Sequence, residues 1–185
     1  MSRQFWSEAL AWSTADGTAV ANTTTETIIF PNITIPANYM QDGRVLRVTA
    51  YGRYSVTATP TLTVALRWGG VAGTVLATSA AQVCGSGVVA GIWKVNALVQ
   101  TRANGATGSL FSVGELILGE DAAGTAGTVT NYAMTGFMSS AGAATPAAAT
   151  VDLTADTAFS ITADWSAASA SNTLTGHVYI VEGLN

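Results

Sequence analysis

The side chains best suited to chemistry are few: one histidine, His177, one cysteine, Cys84, and 11 acidic residues among 185. A nucleophile needs a base within hydrogen-bond reach, most often a histidine. In "TGHVYIVEG" strict alternation puts His177 on one strand face with Thr175, Tyr179 and Val181, where a histidine is ordinarily structural or exposed. Cys84 sits in a glycine-rich turn, with no neighbouring base or helix amino terminus to lower its pKa. An inert thiol is expected, and a lone cysteine excludes an internal disulfide. Asp152, Asp156, Asp164, Glu120 and Asp121 are residue types that a glycosidase pairs, and Glu120-Asp121 and Asp152/Asp156 are types that calcium takes as loop ligands. None has the spacing of a ligand loop, and solvated acidic turns account for them better. "GSGVVA" at 85–90 matches a dinucleotide-binding glycine pattern. That pattern works only at a strand-to-helix turn, and the following "GIWKVNALV" reads as a strand. The sequence assigns no catalytic residue, no cofactor and no metal.

A different question comes from "GRVLRVTAYGRYSV", residues 43–56, in a chain only 10% charged where an average soluble domain has about 25%. Successive strand side chains point to opposite sides. Leu46, Val48, Ala50, Tyr54 and Val56 therefore share one face, and Arg47, Thr49, Tyr51 and Arg53 share the other. In "TPTLTVALRWGG" the same logic groups Leu62, Val64, Leu66 and Trp68 against Thr61, Thr63, Ala65 and Arg67, with Pro60 at the turn. If the two runs pair as a hairpin, Arg47, Arg53 and Arg67 share one outer surface. Strand arginines usually serve ion pairs or interfaces.

The net charge of −4 and pI near 4.7 argue against a nucleic-acid partner, which needs a basic footprint. A surface rich in Ala, Thr, Gly and Ser suits a protein packed against neighbours. The uncharged run 68–93 is broken by Gly, Ser and Thr, unlike the roughly 20 predominantly apolar residues of a membrane span. "MSRQFWSEALAW" has no continuous apolar segment and carries Glu8, so synthesis in a reducing cytoplasm is expected.

Residues 3–12 place Phe5, Trp6, Ala9 and Leu10 at a helical spacing. They predict a short helical stripe in an N-terminal arm, residues 1–20, which must dock either on its own domain or on a partner. After "TADGTAV" the pattern is β throughout, so 21–185 reads as one domain of about eight to ten short strands with no helices between them, a sandwich or barrel. "IWKVNALVQTR" and "TAFSITADW" alternate cleanly; the stretches "GEDAAGTAGT" and "SSAGAATPAAAT" read as small-residue loops. No fixed-period repeat is present.

Taken together, "IPANYMQDGRVLRVTAYG", the "TPTLT" turn, "WKVNALVQTR" and the "W-x-x-A-S-A-S-N-T" bend in "ADWSAASASNTLTGHVYIVEG" resemble a recurrent module in structural proteins of tailed bacteriophages, over roughly Asn22 to Glu182. The resemblance implies a jelly-roll-like antiparallel β-sandwich, often trimeric, displayed on the virion as a capsid decoration, head fibre or tail-associated protein. It implies no catalytic residues. The expected role is a non-enzymatic decoration protein of the capsid surface, made in the host cytoplasm, whose partners are its own copies and the major capsid protein. The expected contact residues are Phe5, Trp6, Leu10 and Trp12 of the arm, with Arg47, Tyr51, Arg53, Arg67 and Leu98 of the sheet. The alternative is a tail- or fibre-associated receptor- or glycan-binding module using exposed aromatics such as Tyr132, Phe137, Trp93 or Tyr39. A glycan hydrolase is a third, weaker option.

Overall fold

Period-two runs become strands wherever one face can be buried. The computed structural model describes residues 6–121, 129–139 and 146–184, and among them it contains 14 strands and no helix. In chain order these are β1 (Ser7–Trp12), β2 (Val20–Ala21), β3 (Thr27–Ile28), β4 (Ile33–Ile35), β5 (Val45–Ser55), β6 (Thr61–Trp68) and β7 (Thr74–Ser79). There follow β8 (Gln82–Val83), β9 (Gly91–Ala103), β10 (Gly108–Asp121), β11 (Val129–Met138), β12 (Ala149–Val151), β13 (Thr157–Trp165) and β14 (Thr173–Leu184). Five of them (β2, β3, β4, β8, β12) have only two or three residues; of the other nine, all but β1 are strands that alternation predicts.

All pairing is antiparallel, along one path β1-β14-β5-β9-β10-β11-β7-β6-β13-β3, with β2, β4, β8 and β12 added beside β14, β13, β6 and β10. The path turns where β11 meets β7 through two residue pairs, Phe137–Ser79 and Met138–Thr78. On either side of that turn lie a first wing, β1-β14-β5-β9-β10-β11, and a second wing, β7-β6-β13, whose inner faces share one core. This is an all-β, sandwich-like antiparallel fold.

The core residues are those that alternation selects. Leu46, Val48, Ala50 and Tyr54 of β5 and Trp93, Val95, Ala97 and Val99 of β9 pack in one cluster with Leu62, Val64 and Leu66 of β6 and Phe159, Ile161, Ala163 and Trp165 of β13. Each large apolar side chain so buried contributes roughly 1.5–3 kcal/mol. The three buried indoles each place their N–H on a backbone carbonyl: Trp93 donates to Thr175 at 3.0 Å, Trp165 to Val20 at 3.1 Å and Trp68 to Asp152 at 3.0 Å. Gly52 makes the first possible, since a Cβ there would lie 2.5 Å from the Trp93 ring nitrogen. The bend after Trp165 is closed by buried Asn172, whose side-chain amide donates to Ala167 O at 2.9 Å.

Three expectations are corrected. Residues 7–12 are not helical but form β1, which pairs with β14 and has a bulge at Leu10. The extra residue breaks the alternation, so adjacent Leu10 and Ala11 both pack on the core, and that break is what reads as helical spacing. Residues 7–12 of the expected arm are thus an outer strand of the sheet. β5 and β6 do not form a hairpin: β5 lies between β14 and β9, and β6 lies between β13 and β7. The connection through Pro60 crosses from one wing to the other, and sequence neighbours need not be sheet neighbours. His177 does not share a face with Tyr179 and Val181, because a bulge between Gly176 and Val178 makes it the unpaired residue of β14. Phe5 and most of the two small-residue loops, 122–128 and 140–145, lie outside the described residues.

Candidate contact face

Strand register places the outward side chains of the first wing in cross-strand rows. One row runs Glu182, Arg47, Leu98, Val113, Met138; the next runs Trp12, Ile180, Thr49, Asn96, Glu115, Gly136; a third runs Val178, Tyr51, Lys94, Ile117, Met134. Beyond them Arg53 pairs with Ile92, and Gly119 with Tyr132. Of the 11 large hydrophobic residues exposed among the described residues, eight stand on this face: Trp12, Tyr51, Leu98, Val113, Tyr132, Met134, Val178 and Ile180. Met134 is 68% exposed, Tyr132 61% and Trp12 59%. Scattered apolar residues are normal on a surface, but one face that gathers aromatics, Met and Arg has the composition of an interface.

Charges on this face are held loosely. Arg47 meets Glu182 at 3.4 Å in the open, Asn96 donates to Glu115 at 3.1 Å, and the Lys94 ammonium stands 5.5 Å from the Tyr51 ring centroid. Arg53 donates to the Ala90 carbonyl at 2.9 Å. Two depressions interrupt the face. One, of about 460 Å³, lies between Arg47, Leu98, Val113 and Glu115; the other, of about 330 Å³, lies between Tyr51, Arg53, Lys94 and Tyr132.

Five of the residues singled out from sequence, Trp12, Arg47, Tyr51, Arg53 and Leu98, thus share one surface. The other three described ones do not. Leu10 packs against the core, and Trp6 lies 5.5 Å from the Arg44 guanidinium, which also stacks on Tyr39 at 4.5 Å. Arg67 is on the second wing, where Nε donates to Glu26 Oε1 at 2.6 Å and Nη2 pairs with Oε2. Nη1 of the same guanidinium donates to Gly73 O at 2.8 Å. Thr162, which alternation turns outward, is fully buried beneath this contact and donates to the same carboxylate. Burial alone would raise the Glu26 carboxyl, but the hydrogen bonds from Arg67 and Thr162, with the Arg67 charge, outweigh it and hold it below its ordinary value. Burial, and then the Glu26 charge, push neighbouring Asp164 above the usual range.

Sequence reasoning missed Val113, Met134, Val178 and Ile180. Their signal was present, as apolar residues at the outward phase of "LFSVGELIL", "NYAMTGFM" and "HVYIVEG". Among the aromatics expected for glycan contact, Trp93 and Phe137 are fully buried and Tyr39 is stacked on Arg44, which leaves Tyr132.

The groups that could do chemistry are engaged elsewhere. His177 Nδ1 lies 2.8 Å from Asp16 Oδ1, while the Ser13 hydroxyl donates to the His177 backbone carbonyl at 3.2 Å and not to the ring. Asp152 caps its own turn through the Thr154 N–H and hydroxyl, and Asp156 accepts from Ala37 N–H at 2.8 Å. Burial, with the Glu120 charge, pushes the buried Cys84 thiol up to about 12, so it is not a thiolate at neutral pH. Among the described residues no group of three or more His, Cys, Asp or Glu gathers as a metal site. Among the described residues no helix is long and apolar enough to cross a membrane.

No family model matches the chain, and no curated protein does. One solved structure, the CBM2 module of the evolved Dit of Lactobacillus casei BL23 phage J-1, aligns over 99% of this chain and 98% of its own, with 10% sequence identity and a TM-score of 0.37. A likeness that low carries no argument about fold or function.

Proposed function

We propose that the chain is a non-enzymatic structural protein of a tailed-bacteriophage particle, and that its work is contact made through the outward face of the first wing. The observation that carries this reading is the gathering on that face of eight of the 11 large hydrophobics exposed among the described residues, among Arg47, Arg53 and Lys94. A monomer gains nothing by keeping such a surface wet, whereas a symmetric assembly repeats each contact at every copy. The resemblance of the β5, β6, β9 and β14 sequences to phage structural modules supports the setting. In this reading the protein is a homo-trimer seated on the major capsid protein at the capsid surface, and many equivalent weak contacts add by avidity.

Sedimentation velocity across a concentration series tests the self-association. The wild type is expected to sediment as an oligomer, and a Leu98→Glu, Val113→Glu double variant to dissociate at least about tenfold more readily with its melting temperature unchanged. A wild type that stays monomeric at every concentration, and does not co-sediment with capsids, would overturn the reading.

A second reading, a tail- or fibre-associated module that binds a receptor glycan, is favoured by a separate observation. The depression beside Tyr51 and Tyr132 combines two exposed phenol rings with two cations. Aromatic faces beside polar groups are what a sugar ring needs.

A further inference from the structure

We propose that the depression between Tyr51, Arg53, Lys94 and Tyr132 is a binding site for an acidic saccharide, one bearing a carboxylate or a phosphate. The inference deepens the glycan reading above and rests on it.

Its volume, about 330 Å³, is at the small end of the range for small-ligand clefts, about 300–1,000 Å³. The floor is rigid. The Trp93 indole is fully buried, fills the slot beside Gly52 and is pinned by its bond to Thr175 O. Tyr51 and Tyr132 are 41% and 61% exposed and approach from β5 and β11, with Ile92 and Ile117 between them. Such surfaces accept the apolar face of a pyranose while leaving its hydroxyls to polar neighbours.

Charge selects the class. Arg47, Arg67 and His177 each have a carboxylate oxygen within 4 Å, but Arg53 and Lys94 form no ion pair among the described residues. Lys94 lies over the Tyr51 ring, and Arg53 spends one nitrogen on the Ala90 carbonyl. Glu115, one row away, is engaged by Asn96. His177, at the rim, is already engaged by Asp16. Two positive charges beside an apolar floor, in a chain of net charge −4, complement an anionic group and leave a neutral sugar without a partner for either.

Isothermal titration of the full chain with three probes tests this: tri-galacturonate, a glycerol-phosphate trimer and neutral tri-galactose. The two acidic probes distinguish carboxylate from phosphate recognition, and binding of either supports the site. The neutral probe is expected to bind at least about tenfold more weakly, the worth of one charge-assisted contact. Arg53→Gln, Lys94→Gln and Tyr132→Ala should each weaken acidic binding about tenfold with the near-ultraviolet circular dichroism unchanged, and affinity should fall as salt rises. Equal binding of neutral and acidic probes would overturn the acidic class while leaving the glycan reading intact. Acidic binding that these substitutions do not change would place the site elsewhere and overturn the inference. Failure of all three probes would overturn inference and glycan reading together.

Discussion

Arg47 and Arg67 are both strand arginines with a glutamate partner across the sheet, yet they do different things. Arg67 and Glu26 have side chains 19% and 22% exposed, in a forked pair shared with Thr162; Arg47 and Glu182 are 51% and 29% exposed, in a single contact at 3.4 Å. The second wing's outward face therefore spends its charge inside the molecule, tying the segment before β3 onto β6 and β13. The first wing's outward face keeps its charge and its apolar groups toward solvent. One surface is closed by its own chain, and the other is left for something else.

The largest effect of a substitution is expected beneath the first wing. Trp93→Ala removes the floor shared by β5, β9 and β14 and is expected to cost about 3–5 kcal/mol in urea unfolding. Tyr51→Ala, directly above on the solvent side, should cost under about 0.5 kcal/mol. A comparable loss at Tyr51 would mean that the outer face is part of the fold's own stability. Next comes Arg67→Met, which leaves Glu26 and Asp164 half-buried together without their cation. A loss of about 1–3 kcal/mol is expected, against under about 0.5 kcal/mol for Arg47→Ala. If the two arginines cost the same, the contrast between the faces fails.

The pH dependence sharpens the same contrast. Glu26 titrates below its ordinary value when folded, so its stabilising contribution is complete above the unfolded value of about 4.3 and is lost as pH falls through the lower folded value. Asp164 is raised, so its ionisation costs stability at neutral pH, and that cost is relieved as pH falls through its folded value. The two oppose each other. Asp164→Asn is therefore expected to leave neutral-pH stability unchanged or slightly higher, by under about 1 kcal/mol, and to steepen the acid loss in denaturation curves taken from pH 7 to pH 2. A clear loss at neutral pH would show that Asp164 supports the clamp.

The sequence made one dimension of this molecule legible and hid another. Inner faces could be read residue by residue, because burial imposes period two on Leu46 to Tyr54, Trp93 to Val99 and Phe159 to Trp165 alike. Bulges could not, because one extra residue inverts the phase without any local mark. Leu10 and His177 were both misplaced for that reason. Pairing between wings was also hidden. The apparent β5–β6 hairpin joins two different wings, and Ser160 and Thr162, polar and at the outward phase, are covered by Asn32 and Glu26 from 128 and 136 residues away. The contact face was half visible: its arginines stood out by their rarity, while Met134 and Val178, apolar at the outward phase, were passed over because alternation alone does not show which strands lie side by side.

The most direct test of the account compares side-chain oxidation in the isolated protein with that in the phage particle carrying it, read by mass spectrometry at Met134, Tyr132, Tyr51 and Trp12. Strong protection of these four is expected in the particle, while Val83 and Val89, outside the face but also exposed, react as before. Equal oxidation of the four in both states would contradict it.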